Sequence, residues 1–163
     1  MSKFLLSLHV LAAILAVGPV TVAASMFPAA ARRVPVAASV GGGGAGAGDA
    51  GEVRTVRLLH RICRVYAGLG IAVPVLGFAT AASMGVLSDA WLIASVTLTA
   101  VAAGLLAAFV LPRQEELLEQ LAEGQPVERA RTVRLAMFTG LFNLLWASVT
   151  ILMIVRPGST TGA

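Results

Sequence analysis

Four long stretches of apolar residues, separated by shorter polar segments, dominate this sequence. A helix that crosses a bilayer needs about 20 mostly apolar residues, and each stretch reaches that length. The pattern therefore predicts an all-α, polytopic membrane protein in which the whole chain, 1–163, forms one four-helix bundle. We number the predicted transmembrane helices spans one to four, over residues 4–31, 58–84, 90–111 and 135–155.

The first long polar segment, residues 32–57, joins spans one and two. Its glycine-rich run at 41–48 is followed by Asp49, whereas a phosphate-binding loop would end in Gly-Lys-Ser or Gly-Lys-Thr. Because such a composition cannot bury a core, the run predicts a flexible linker that binds no ligand.

The second long polar segment, residues 112–134, contains a short amphipathic helix predicted at 114–123. Leu117, Leu118 and Leu121 share one face of this helix, and glutamates occupy most of the rest. The helix could lie along the membrane surface or extend span three. It could also dock a partner, because an acidic polar face does not favour lipid headgroups.

The basic residues predict which way the protein faces. All but Lys3 and Arg156 of the 12 Lys and Arg residues lie in or beside the two long polar segments. The positive-inside rule places these segments in the cytoplasm and both termini outside, in the plasma (inner) membrane. Residues 22–24, Val-Ala-Ala, resemble a signal-peptide cleavage site. Cleavage would leave the first arginine-rich segment outside, so we expect an uncleaved first helix.

Composition excludes several classes of protein. The chain is 58% hydrophobic and only 12% charged, whereas soluble domains are about 25% charged. Its net charge of +4, without a basic groove of interleaved aromatics, argues against nucleic-acid binding. The single cysteine, Cys63, can form neither an internal disulfide nor a zinc cluster, so we expect a buried apolar role for it.

Enzyme activity is not favoured, although the sequence does not decide the question. No carboxylate lies within a predicted span, and no Ser/His/Asp set shares a plausible location. Catalytic residues are therefore not expected.

A short internal echo suggests two tandem hairpins. Residues 54–58, Arg-Thr-Val-Arg-Leu, precede span two, and residues 131–135 repeat the same five letters before span four. The echo fits a parallel repeat, although topology alone also selects arginines before a span. Pro19 and Pro74 interrupt spans one and two. The interruptions indicate either a close-packed bundle with tolerated kinks or broken helices at a substrate site.

His9 is the first candidate functional residue, because an ionisable group inside a membrane is expensive to bury. Met84 and Met153 also fall near the predicted outer ends of their spans, and thioethers with imidazole would suit haem b or copper. His60 lies at the opposite membrane face, so one iron cannot use both histidines. The simpler expectation is that no cofactor is bound and that the methionines fill the core.

A polar stripe on span four is the second candidate. Its members are spaced four, three and four residues apart: Thr139, Asn143, Trp146 and Thr150. The stripe should face the bundle, where it could join helices by hydrogen bonds or form one wall of a polar cavity.

Short motifs in three of the spans and in the tail after span four carry a family resemblance. They are Leu-His-Val-Leu at 8–11 leading to Gly-Pro at 18–19, Arg-Leu-Leu-His-Arg at 57–61, Phe-Asn-Leu-Leu-Trp at 142–146 and Met-Ile-Val-Arg-Pro-Gly at 153–158. With these motifs the chain resembles a family of predicted integral membrane proteins, found largely in actinobacteria, that has no assigned function. Its broad clan is similar to the copper-resistance D membrane domain and to a haem-binding membrane protoporphyrinogen oxidase. In that clan a first-helix histidine matters, and His9 matches it by position.

Three functional hypotheses follow from these patterns. The first is a non-enzymatic membrane protein, an accessory subunit of a larger assembly such as a respiratory complex. Its partners would be the lipid bilayer and either another membrane protein or further copies of itself. The second is a haem- or copper-binding bundle centred on His9. The third is a small transporter that uses the proline-broken spans.

Overall fold

The computed structural model describes residues 2–34 and 47–158. Most of the predicted glycine linker, 41–46, lies outside the described residues. Within the described part the chain is helical and contains no strand. The helices are α1 (Ser2–Ala31), α2 (Ala47–Leu69), α3 (Ala72–Met84), α4 (Ala90–Leu105), α5 (Leu111–Ala122) and α6 (Arg129–Val155), with a π-helical turn (Leu106–Val110) between α4 and α5.

Four helical stretches among the described residues are long and apolar enough to cross a membrane. They are Lys3–Ala31, Gly51–Met84, Ala90–Ala122 and Arg129–Val155. Large apolar side chains cover the outside of the bundle, as at Ile154 and Phe4, which are 73% and 69% exposed. In water this surface would be a large hydrophobic patch, whereas in a bilayer it meets lipid. The prediction of an all-helical chain with four potential spans is confirmed, and the apolar surface indicates a membrane protein.

Helix α1 is the centre of the packing, and contacts α2, α3 and α6. Helix α4 packs against α6, and α5 packs against α2. One core cluster runs through these contacts, with Phe27, Cys63, Val110 and Leu135 among its buried members. These contacts bring the end of α1, the start of α2, α5 and the start of α6 to one end of the bundle. We call it the arginine end, because the arginine-rich segments lie there.

Several helices extend beyond the predicted spans at the arginine end. Helix α2 begins at Ala47 rather than near residue 58, and α6 begins at Arg129 rather than at 135. Helix α5 continues α4 through the π-helical turn, so the predicted amphipathic segment extends span three. At about 1.5 Å per residue, the helix from Ala90 to Ala122 would be roughly 50 Å long if straight. It is therefore longer than the thickness of a hydrocarbon core, about 30 Å.

Span two is broken between α2 and α3. Pro74 has no N–H to give to the carbonyl of Gly70, the acceptor four residues earlier. That carbonyl instead accepts from the Val73 N–H at 3.1 Å, which tightens the backbone at the break. By contrast α1 remains continuous through Pro19, so only one of the two predicted interruptions breaks the helix.

The π-helical turn has a similar origin in proline. The Leu111 N–H bonds to the Leu106 carbonyl, five residues back, and Pro112 follows directly. In a regular helix the Pro112 ring would clash with the Ala108 carbonyl, four residues earlier. The wider turn lets the chain pass this proline without ending the helix.

The two copies of the five-residue repeat, 54–58 and 131–135, bury different positions. Val56 is fully buried whereas its counterpart Val133 is 53% exposed. Leu58 is 55% exposed whereas Leu135 is fully buried. The shared letters therefore do not give the two hairpins the same packing.

Candidate functional site

His9 packs against span two just beyond its break. The side chain is 7% exposed, and its Nδ1 lies 3.0 Å from the Val73 carbonyl oxygen. Because a carbonyl only accepts, Nδ1 carries the proton and donates this bond. This hydrogen bond, in apolar surroundings, joins α1 to the start of α3, directly after the break between α2 and α3.

Gly77 makes room for the imidazole. A Cβ on Gly77 would lie 3.0 Å from His9 Cε1 and 3.4 Å from Nδ1. Ordinary carbon–carbon contacts are about 3.5–4.0 Å, so the ring and α3 could not keep their present separation. Gly77 therefore permits the hydrogen bond between His9 and Val73.

An apolar cavity of about 170 Å³ lies beside the break, lined by residues of all four spans. Pro74 and Gly70 of the break, Ala16 of α1 and the aromatic rings of Tyr66 and Trp146 contribute to its wall. Ligand clefts for drug-sized molecules measure about 300–1,000 Å³, so this space suits only a small apolar group. It is the feature of the bundle that comes nearest to the transporter hypothesis, but its lining offers little to a polar substrate.

The methionines proposed as partners of His9 lie at other levels of the bundle. Met84 is seven residues beyond Gly77, about 10 Å further along the helix axis. The Asn143–Ser25 hydrogen bond sets the level of α6 against antiparallel α1. On that register Met153 is also roughly 9 Å from the level of His9. The structure therefore does not bring His9, Met84 and Met153 together.

The polar stripe on span four is brought together only in part. Thr139 is buried, Asn143 Nδ2 donates to Ser25 Oγ at 3.0 Å, and half-buried Trp146 lines the cavity. Thr150 instead is exposed and bonds to the Trp146 carbonyl of its own helix. The face of α6 that packs inward carries a different set, spaced mainly three and four apart: Thr132, Leu135, Thr139, Phe142 and Val149. Asn143 and Thr150 lie at the margin of that face.

A polar cluster at the arginine end joins α2 to α5, and we call it the α2–α5 clamp. Gln114, fully buried, accepts from His60 Nδ1 at 3.1 Å and donates to Cys63 Sγ at 3.6 Å. Glu115 lies 3.6 Å from His60 Nε2 and 3.7 Å from Arg64. The clamp fixes the helix of the second polar segment against the start of span two.

Sequence reasoning missed the clamp, although one signal was present. Gln114 stands three residues before Leu117 and seven before Leu121, so it occupies the buried face of the amphipathic helix. A polar residue at such a position needs a partner. His60, expected near the membrane interface, is that partner.

Comparison of the chain with models of protein families, with curated proteins and with solved structures found no match. Among the described residues, no group of three or more His, Cys, Asp or Glu side chains could hold a metal ion.

Proposed function

We propose that this protein is a non-catalytic subunit of a larger membrane assembly, and that it contacts a partner through the acidic face of α5. The observation that carries the proposal is the construction of α5. The helix continues span three beyond the bilayer, and the α2–α5 clamp fixes it in place.

The geometry of α5 separates a buried face from an acidic one. Leu117 and Leu121 are 2% and 4% exposed and pack in the core. Glu119 is exposed on the other side of the helix, and Glu123, the C-cap residue, is exposed directly after the helix ends. A rigid helix with an exposed carboxylate row suits a partner with a basic surface, because complementary charge directs association and register.

The orientation of the assembly follows from the positive-inside rule. We infer that the arginine end faces the cytoplasm and that both termini lie outside the plasma membrane. The partner surface would then be a cytoplasmic part of another membrane protein. Membrane proteins of the family that this chain resembles could be purified in the same way and tested for the same kind of partner.

The test is purification from native membranes in a mild detergent, followed by measurement of the mass and composition of the complex. We expect a stoichiometric partner whose recovery falls about two- to thirtyfold in the Glu119→Gln/Glu123→Gln variant, since two exposed ion pairs at about 0.2–1 kcal/mol each contribute about 0.4–2 kcal/mol together. The matched control is Glu52→Lys on α2, which changes the net charge by the same amount at the same end. It should leave recovery unchanged.

A strictly monomeric protein without a stoichiometric partner would contradict the proposal. So would a complex made only of copies of this chain, because the partner that we propose is a different membrane protein. Equal loss of partner in the Glu52→Lys control would show that net charge, rather than the face of α5, governs association.

Cofactor binding at His9 is the second candidate function, and one observation favours it. A histidine that ligates a metal commonly donates its other ring N–H to a carbonyl, as Nδ1 does to Val73. The remaining residues do not fit haem or copper. The imidazole lies against Gly77, and neither Met84 nor Met153 shares its level.

The second candidate has a direct test. Protein purified from native membranes is examined by absorbance for a Soret band and by elemental analysis for copper. We expect neither signal above the level of a His9→Ala variant. A Soret band or a stoichiometric copper ion that depends on His9 would favour cofactor binding over a purely structural histidine.

A further inference from the structure

A second cavity, of about 400 Å³, opens between α5 and the first turn of α6 at the arginine end. Three arginines line it: Arg113, Arg131 and Arg134. Two carboxylates, Glu116 and Glu128, also face it. This space is larger than the apolar cavity at the break, and charged side chains converge on it.

The carboxylates leave part of this positive charge unpaired. Glu128 Oε2 accepts from Arg131 Nε at 3.2 Å, so this pair largely neutralises itself. Within residues 2–34 and 47–158, neither Arg113 nor Arg134 has a carboxylate within 4.0 Å. Arg113 instead places its guanidinium 5.0 Å from the centre of the Phe138 ring. Among the same residues Glu116 also has no arginine within 4.0 Å, so Arg113 and Arg134 exceed it by one positive charge, which remains available to an anion.

The start of α6 adds to the attraction. The backbone N–H groups of Arg131 and Thr132 are already bonded to the Glu128 carbonyl, whereas Ala130, earlier in the same first turn, lines the cavity. The positive end of the helix dipole of α6, a helix of 27 residues, is directed here. Helix N-termini of this kind bind phosphate groups.

An apolar track leads from the cavity along the lipid-facing surface. The rings of Phe109 and Phe138 stack with their centroids 4.9 Å apart, and the Arg113 guanidinium lies over the Phe138 ring. Phe109 is 43% exposed, and Met137 and Leu141 of α6 are 62% and 46% exposed. A soluble phosphate has no apolar group to pack on these side chains, whereas the acyl chains attached to a lipid headgroup would lie along them.

We propose that the cavity binds the phosphate headgroup of an anionic phospholipid, with Arg113 and Arg134 as its main ligands. The acyl chains lie along the Phe109–Phe138 stack and Leu141. Basic pockets between helices at the cytoplasmic side of a membrane protein recognise such headgroups by the same chemistry. The α5 residues that line the cavity are Arg113, Glu116 and Leu117, and Glu119 and Glu123 are not among them.

The test is lipid titration of the delipidated, detergent-purified chain, read by native mass spectrometry. Phosphatidylglycerol is compared with phosphatidylcholine of the same acyl chains, and with sn-glycerol 3-phosphate as the soluble phosphate. We expect phosphatidylglycerol to bind at least tenfold more tightly than either. The Arg113→Gln/Arg134→Gln variant should lose roughly 20- to 30-fold in that affinity, at about fivefold for each basic residue.

Two further variants separate the site from general charge and from misfolding. Arg54→Gln/Arg57→Gln removes the same charge from α2 at the same end and should leave phosphatidylglycerol binding unchanged. Glu128→Gln releases Arg131 and should strengthen binding about fivefold, a gain that a damaged fold cannot produce. Equal binding of the two lipids would overturn the proposal. So would equal loss in the α2 control, or no gain in Glu128→Gln. Binding of sn-glycerol 3-phosphate as tight as that of the lipid would also refute it, because the ligand would then be a soluble phosphate.

Discussion

Replacement of Gly77 by alanine tests whether the contact between His9 and span two holds the broken helix in place. Alanine normally stabilises a helix interior by about 1 kcal/mol relative to glycine. Here its Cβ would meet His9 Cε1 at 3.0 Å, with Nδ1 at 3.4 Å. The ring would have to retreat by about 0.5 Å or more to regain normal contact. The His9–Val73 bond, now 3.0 Å, would then lengthen towards the limit of a hydrogen bond.

The expected loss follows from that bond. Hydrogen bonds between membrane helices contribute about 0.6 kcal/mol on average and up to about 1.7 kcal/mol. A buried N–H that loses its partner adds about 1–3 kcal/mol if no other acceptor is found. We therefore expect the free energy of unfolding of Gly77→Ala to lie about 1–2 kcal/mol below that of a control, Gly104→Ala. A Cβ on Gly104 meets nothing within 4 Å, so this control should show the gain in helix propensity alone.

The assay is unfolding of the purified protein by sodium dodecyl sulfate in mixed micelles, followed by circular dichroism. Each glycine variant is measured alone and together with His9→Ala. Without the imidazole, Gly77→Ala should stabilise the protein as much as Gly104→Ala does. Equal free energies of unfolding for Gly77→Ala and Gly104→Ala while His9 is present would refute the predicted clash. A deficit that persists after His9 is removed would refute it equally, because the clash would then lie elsewhere.

Three further predictions concern the α2–α5 clamp, the orientation in the membrane and the Asn143–Ser25 hydrogen bond between α6 and α1. Gln114→Leu should leave His60 Nδ1 without its acceptor and lower the free energy of unfolding by about 1–2 kcal/mol. Hydrogen exchange in α5 should then become faster, whereas Gln120→Leu, on another face of the helix, should leave it unchanged. Equal protection in both variants would contradict the clamp. In a Cys63→Ala background, Ser88→Cys should react with an impermeant maleimide in intact cells and Gln120→Cys should not, because the arginine end faces the cytoplasm. The reverse labelling pattern would show the opposite orientation. Asn143→Leu should change the free energy of unfolding by less than about 1 kcal/mol. The lost hydrogen bond to Ser25 is offset by removal of the buried Oδ1, which has no hydrogen-bond partner. A larger loss in the same detergent unfolding assay would show that this hydrogen bond is important for the packing of α1 against α6.

At the end of the bundle opposite the arginine end the sequence predicts the helix ends well, because those signals are local, whereas at the arginine end three helices run beyond the predicted spans. Span two ends at Met84 and span three begins at Ala90, with the positive φ of Gly85 closing the first helix. The faces of the helices are harder to predict. Lipid-facing and core-facing positions are both apolar in a membrane protein, so Leu58 and Leu135 look alike in the sequence but are 55% and 0% exposed.

The contacts that define the candidate sites join residues far apart in the chain. His9 reaches Val73, and His60 reaches Gln114, across 64 and 54 residues. No local pattern pairs such residues. The presence of a proline does not by itself predict a helix break, because span two breaks before Pro74 whereas α1 continues through Pro19. Whether a proline breaks a helix depends on the acceptor that it frees and on the neighbours that stabilise the break.

The π-helical turn at Leu106–Val110 also couples the two ends of a single long helix. It places one more residue in a turn than a regular helix would, and each residue of an α-helix adds about 100° of rotation. The turn therefore sets which side of α5 meets α2 and which carries Glu119 and Glu123. Loss of one residue there could leave the spanning part intact while turning the glutamates about a quarter of a circle around the axis. Insertions and deletions at this turn would change the recognition surface without replacing Glu119 or Glu123.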